Sequence, residues 1–176
     1  MNARQICLPP LLLTLAAIST PAALAGEPAD YVADGGLKHA LELHHLQLGG
    51  FAGRLETKIA IGADNAWTGS FGVGGRANER KGMVTDQQLL QLADALAEND
   101  LAGLPKTIGS AKPVNSPKQI ADGASTTITL TYGEQSVTAN IADGVALDEK
   151  TRALLTRLRQ IETAMRQVTL NAKPEN

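Results

Sequence analysis

Three histidines, His39, His44 and His45, fall within seven residues and are the only ones in the chain. Metal chemistry needs ligands that converge. On a helix, His39, Glu42 and His45 would recur by threes, whereas the best-supported zinc spacing on one helix face is i, i+4. On a strand, His39 and His45 share a face unless a bulge intervenes, and the adjacent His44 and His45 point apart. The pattern is that of a half-exposed edge strand with polar residues, and no metal site is expected. Nucleophilic chemistry is no better supplied. Ser70, in the run Thr68-Gly69-Ser70-Phe71-Gly72, has a glycine too close for a nucleophile elbow and falls within a strand-like stretch. Gly72-Val73-Gly74-Gly75 lacks the surrounding strand–helix–strand unit of a dinucleotide fingerprint. No catalytic residue and no cofactor is expected, so the residues point to a binding protein and not to an enzyme.

The binding candidate is Gly49-Gly50-Phe51-Ala52-Gly53, followed by Arg54. Glycines on both sides of an aromatic suit a hairpin loop, where they supply positive φ at little cost. Such a loop either projects Phe51 as an anchor for a partner's pocket or folds it back over the core.

The elements that would carry this loop follow from composition and pattern. The chain has 176 residues, with 16 basic and 18 acidic side chains and a formal net charge of −2. That balance favours neither nucleic acid nor an anionic membrane as partner. Residues 1–25 read as a secretory signal: Arg4 is the positive start, Leu8 to Ile18 the apolar run, and Ala23-Leu24-Ala25 the cleavage motif. Prolines 9, 10 and 21 with Ser19 and Thr20 interrupt the apolar stretch short of a membrane span. The expected location is periplasmic or secreted, with no membrane association after cleavage near Ala25-Gly26. Cys7 is the only cysteine, so the mature chain holds itself together without disulfides.

Residues 26–36 read as a flexible leader, 37–170 as a single domain and 171–176 as a flexible tail. From Leu37 to Leu48 the pattern is ambiguous: Leu37, Ala40, Leu41 and Leu48 fit a helix, while alternation that slips at His44-His45 fits a strand with a β-bulge. The strand is favoured because the next segment is a clean strand and needs a partner. Leu55, Thr57, Ile59 and Ile61 mark one face of a clean second strand. A third runs from Ala66 to Val73, and the charged, glycine-rich stretch from Gly74 to Gly82 reads as a loop, with Met83-Val84 pairing briefly beyond it. Thr85-Asp86-Gln87-Gln88 is a capping box that opens a helix to about Asn99. Residues 106–125 read as a long loop. Two strands follow, carried by Ile128, Leu130 and Tyr132 and by Val137, Ala139 and Ile141. Asp148 caps a final helix with a stripe from Leu154 to Val168, whose basic side (Lys150, Arg152, Arg157, Arg159, Arg166) reads as a solvated surface. The fold class expected is α+β: an antiparallel sheet of five or six strands in the order β-β-β-(β)-α-β-β-α, with two helices on one face.

The chain resembles the emfourin family, small bacterial inhibitors of thermolysin-like (M4) metalloproteases. The resemblance is carried by the strand leading into Gly49 to Gly53, by the helix opening Thr85-Asp86-Gln87-Gln88-Leu89-Leu90 and ending near Leu104-Pro105, and by the hairpin from Thr126 to Ile141 before a leucine-rich helix. It covers roughly residues 37–161. The chain departs from the family's best-known form in its export signal and its 106–125 insertion. The resemblance implies occlusion of a secreted metalloprotease by the hairpin tip, with Phe51 in the apolar pocket beside the zinc and Arg54 meeting acidic residues at the cleft edge. The competing expectation is a non-inhibitory periplasmic binding or structural module of unknown ligand, for example one that recognises envelope components.

Overall fold

Alternation of apolar side chains over 8-residue runs builds most of the molecule. The computed structural model describes residues 26–49, 53–109, 124–142, 144–171 and 173–174; the signal expected at 1–25 lies outside them. The strands are β1 (Val32–Ala33), β2 (Gly36–Leu37), β3 (Leu41–Leu48), β4 (Arg54–Ile61), β5 (Ala66–Val73), β6 (Arg76–Met83), β7 (Thr107–Gly109), β8 (Ser125–Tyr132), β9 (Gln135–Ala142) and β10 (Lys173–Pro174). Helix α1 (Asp86–Glu98) follows β6, and α2 (Glu149–Asn171) follows β9. The class is α+β. Seven strands form one sheet in the order β6-β5-β4-β3-β8-β9-β7, with β10 adding two residues outside β6, while β1 and β2 make a separate small ladder.

The sheet is mixed and not purely antiparallel, because β7 runs parallel to β9. It also has more strands than the five or six expected. The main addition is β6. A run of charged residues reads as a loop, yet Gly74 and Gly75 both take positive φ (59° and 85°) and close a two-residue hairpin. The charges that follow suit an edge strand, where they meet water. The second addition is β7, which turns the start of the expected 106–125 loop into sheet; residues 110–123 lie outside the described residues.

No bulge occurs at His44-His45. The register of β3 with β4 runs without a break from Leu41↔Ile61 to Leu48↔Arg54, and that with β8 from Leu41↔Tyr132 to Leu48↔Ser125. Leu41, Leu43 and His45 therefore face the helices, while Leu46 and Leu48 lie on the opposite, open face. The apparent slip arises from apolar residues placed on that open face and a histidine placed inside.

Leu41, Leu43, Ile59, Ile61, Ile128, Leu130 and Val137 from the sheet share one core with Leu92 and Leu96 of α1 and Leu158, Ile161 and Met165 of α2. Residues 26–36 are not a loose leader: Tyr31 is buried in that core, its ring lies 5.6 Å from that of Tyr132, and the Tyr132 hydroxyl donates to the Tyr31 carbonyl at 3.0 Å. Nor is 171–176 wholly a tail, since Lys173 and Pro174 pair with Met83 and Gly82.

The capping box of α1 is in place. Gln88 N–H donates to Thr85 Oγ1 (3.3 Å), and Thr85 N–H donates to Gln88 Oε1 (2.9 Å). The Gln88 amide also donates to the Val168 carbonyl, tying the start of α1 to the end of α2. Replacing Thr85 by alanine is expected to cost about 1 kcal/mol, read as a lower urea midpoint with an unchanged slope.

Candidate functional site

The glycine-bracketed loop sits on a hairpin whose ladder persists to its last pair, Leu48↔Arg54. Beyond it, Gly49 N–H donates to the Gly53 carbonyl at 2.8 Å. Gly49 and Gly53 take φ of 93° and 68°, a left-handed backbone that a side chain at either position would strain. Gly50, Phe51 and Ala52 lie outside the described residues.

Ladder directions place this loop at one end of the sheet. Leu48, Arg54, Val73, Arg76, Ser125 and Ala142 all lie at that end. The segment between Gly109 and Ser125 begins and finishes there, and the connection from β9 to α2 begins there. Three of the exposed large apolar residues belong to this end: Leu48, Val73 and Val145, at 44%, 60% and 43% exposure. Sequence reasoning missed this grouping, since the three lie far apart in the chain and only the sheet brings their elements together.

Arg54 is half exposed and bonds Glu56 at 2.7 Å. Glu56 also takes Lys58 at 3.0 Å and His44 Nε2 at 2.8 Å. The hydrogen bond from Lys58 comes first, with those from His44 and Arg54 adding to it, and together they hold the Glu56 carboxyl down at about 2. Arg54 thus presents to solvent only those guanidinium N–H groups that Glu56 leaves unused.

The histidines separate. His39 meets the edge of the Tyr132 ring, 5.2 Å between centroids. His44 lies on the open face with Glu56. His45 lies under α2, its Nδ1 2.6 Å from Glu162 Oε1. A carboxylate only accepts, so the ring hydrogen of that bond is on Nδ1. Arg166 completes the group with Nε and Nη2 on the same oxygen at 3.0 and 2.8 Å, and its Nη1 donates to Thr57 Oγ1 at 3.3 Å. Burial by itself would raise the Glu162 carboxyl; the bonds from His45 and Arg166 outweigh it and hold the group below its ordinary value. Among the described residues, no three His, Cys, Asp or Glu side chains gather as a metal site would need.

The basic side of α2 is accordingly not all solvated. Arg157 donates to the carbonyls of Asn99 and Asp100 and to the Asp100 carboxylate at 2.8, 2.7 and 2.9 Å, clamping the end of α1. Of the five basic residues expected on a solvated surface, Arg157 and Arg166 thus reach other elements of the fold, and Arg152 donates to the Leu147 carbonyl just before α2 at 3.1 Å.

An open trough of about 1220 Å³ crosses β3 to β6. Small Thr68 and Ser70 lie between Glu42, His44 and Lys58 on one side and Glu79 on the other. Among the described residues, no helix is long and apolar enough to cross a membrane. No protein-family model matches the chain, and no curated protein matches it in sequence.

Proposed function

We propose that the chain is an exported, non-catalytic binding protein that docks through the loop end of its sheet and inhibits a secreted thermolysin-like metalloprotease by occluding its cleft. One observation supports this reading most: the β3–β4 ladder extends unbroken to a loop bracketed by two left-handed glycines. A loop stem held this way loses little freedom on docking, so more of the contact energy reaches affinity. Leu48, Val73 and Val145 supply apolar surface around it, and Arg54 supplies charge for an acidic cleft edge. In this reading Phe51 is the anchor.

Titration of the mature protein against a thermolysin-like protease, with a chromogenic peptide as reporter, is expected to give inhibition at or below about 1 μM. Phe51→Ala is expected to weaken it by about 30-fold or more with an unchanged melting temperature. No inhibition by the parent protein at micromolar concentration removes the proposal. The trough across β3–β6 favours a second reading, a periplasmic module that holds an envelope component on its open face. That reading expects ligand binding to respond to Ser70 and Lys58 substitutions and to ignore Phe51→Ala.

A further inference from the structure

The sheet ends differently on its two sides. On the β7 side the edge is three residues long, short enough to offer little ladder to a foreign strand. On the β6 side it is eight residues long, and its register with β5 runs from Ala66↔Met83 to Val73↔Arg76 without a bulge. It contains no proline, and every residue but Gly82 is exposed. From Arg76 to Arg80, charge is the edge-protecting device it carries. Its backbone keeps the geometry of a strand acceptor.

That acceptor already holds a strand at one end. Lys173 and Pro174 pair antiparallel with Met83 and Gly82, which shows that a chain can lie against β6 in ladder geometry. From Arg76 to Arg80 the outer side of β6 has no strand partner among the described residues.

The side chains say what would fit there. Arg76, Asn78 and Arg80 leave the strand on one side. Arg76 and Arg80 are four residues apart, about 13 Å along a strand. The Arg80 guanidinium lies 5.9 Å from the centroid of the Phe71 ring, a cation–π contact that restrains it. A second copy of this strand is a poor partner in the three registers centred on Asn78, Glu79 and Arg80. An antiparallel two-fold centred on Asn78 sets Arg76 against Arg80, one centred on Glu79 sets glutamate against glutamate, and one centred on Arg80 sets arginine against arginine. Like charges directly opposite oppose pairing. We propose that the β6 edge binds an extended peptide segment of another protein by strand addition, selecting one with acidic residues four positions apart opposite Arg76 and Arg80. This edge reaches the loop end of the sheet at Arg76 and runs away from it to Arg80, and the inference does not depend on the inhibitor reading.

The test uses the mature chain and a labelled peptide, Thr-Glu-Val-Thr-Val-Glu-Thr, followed by fluorescence anisotropy. Saturable binding with Kd of about 10–100 μM is expected, with a loss of tenfold or more when both glutamates become lysines. Methylating the backbone nitrogens of alternate residues, in two complementary sets, is expected to abolish binding in one set and spare it in the other. Only a ladder has that alternation. R76E/R80E is expected to lose the acidic peptide and to gain the lysine peptide, a rescue that also shows the variant is folded. No saturation by about 1 mM, equal effects of the two methylation sets, or retention of the acidic peptide by R76E/R80E would each overturn the proposal. So would sedimentation showing that a second copy occupies the edge.

Discussion

Shortening Leu158 to alanine is expected to lower the unfolding free energy by about 3–4 kcal/mol. Leu158 has no exposure and sits on the stripe of α2 that faces the sheet. The change removes its transfer free energy and leaves a hole between layers that cannot collapse. Two hydrogen-bonded clamps fix the spacing of α2 from α1, Arg157 on Asn99 and Asp100 at one end and Gln88 on Val168 at the other. With α2 held at both ends, the void persists, which keeps the cost off the low end of the usual range for such substitutions. The melting temperature is expected to fall by about 10 °C. A loss below 1 kcal/mol in urea titration would mean that α2 relaxes onto the sheet despite its clamps.

Replacing Glu162 by alanine is the second large effect, expected to cost about 2–3 kcal/mol at neutral pH. The buried carboxylate receives His45 and Arg166 together, and its loss leaves a guanidinium under the helix without a counter-charge. Both partners retain some exposure, 23% for His45 and 31% for Arg166, so water recovers part of the loss. The same site shapes the acid response. Glu162 is held below its ordinary value of 4.5 in the folded protein. The unfolded chain therefore takes up this proton first as pH drops. The contribution is complete above about 4.5 and is lost as pH falls through the lower folded value. Glu162→Gln, which keeps an acceptor oxygen but not the charge, is expected to flatten that part of the stability profile below pH 4.5. Urea midpoints taken in parallel from pH 3 to 6 test this, and superimposable slopes for parent and variant would contradict it.

Neither substitution touches the loop end, and their backgrounds explain what could be read from sequence. Local patterns were legible. Thr85 and Gln88 announce α1 because a capping box is complete within four residues. The stripe from Leu154 to Val168 announces α2 by spacing alone. Leu55 to Ile61 alternates cleanly because β4 lies in the middle of the sheet with one face buried. Non-local pairings were not legible. The bond from His45 to Glu162 spans 117 positions, and no local pattern places a histidine inside. The parallel ladder of β7 with β9 depends on a partner some thirty residues away. Strand β6 was hidden for another reason: an edge strand with both faces wet has no hydrophobic period, and its one local clue was the Gly74-Gly75 turn. At the candidate site, the glycine bracket and Arg54 were visible in the sequence. The companionship of Leu48, Val73 and Val145 came only from strand order.

That order has a consequence for how the chain can be divided. Strands β8 and β9 come late in sequence but are inserted between β3 and β7, which come early. A cut between Gly109 and Ser125 would yield no two independent units. The first fragment would expose the inner flank of β3 with Leu41 and Leu43, and the second would be one hairpin with one helix and nothing to cover either. Each piece completes the other, so the halves gain and lose their structure in concert, and partly folded species with one half intact have little to stabilise them.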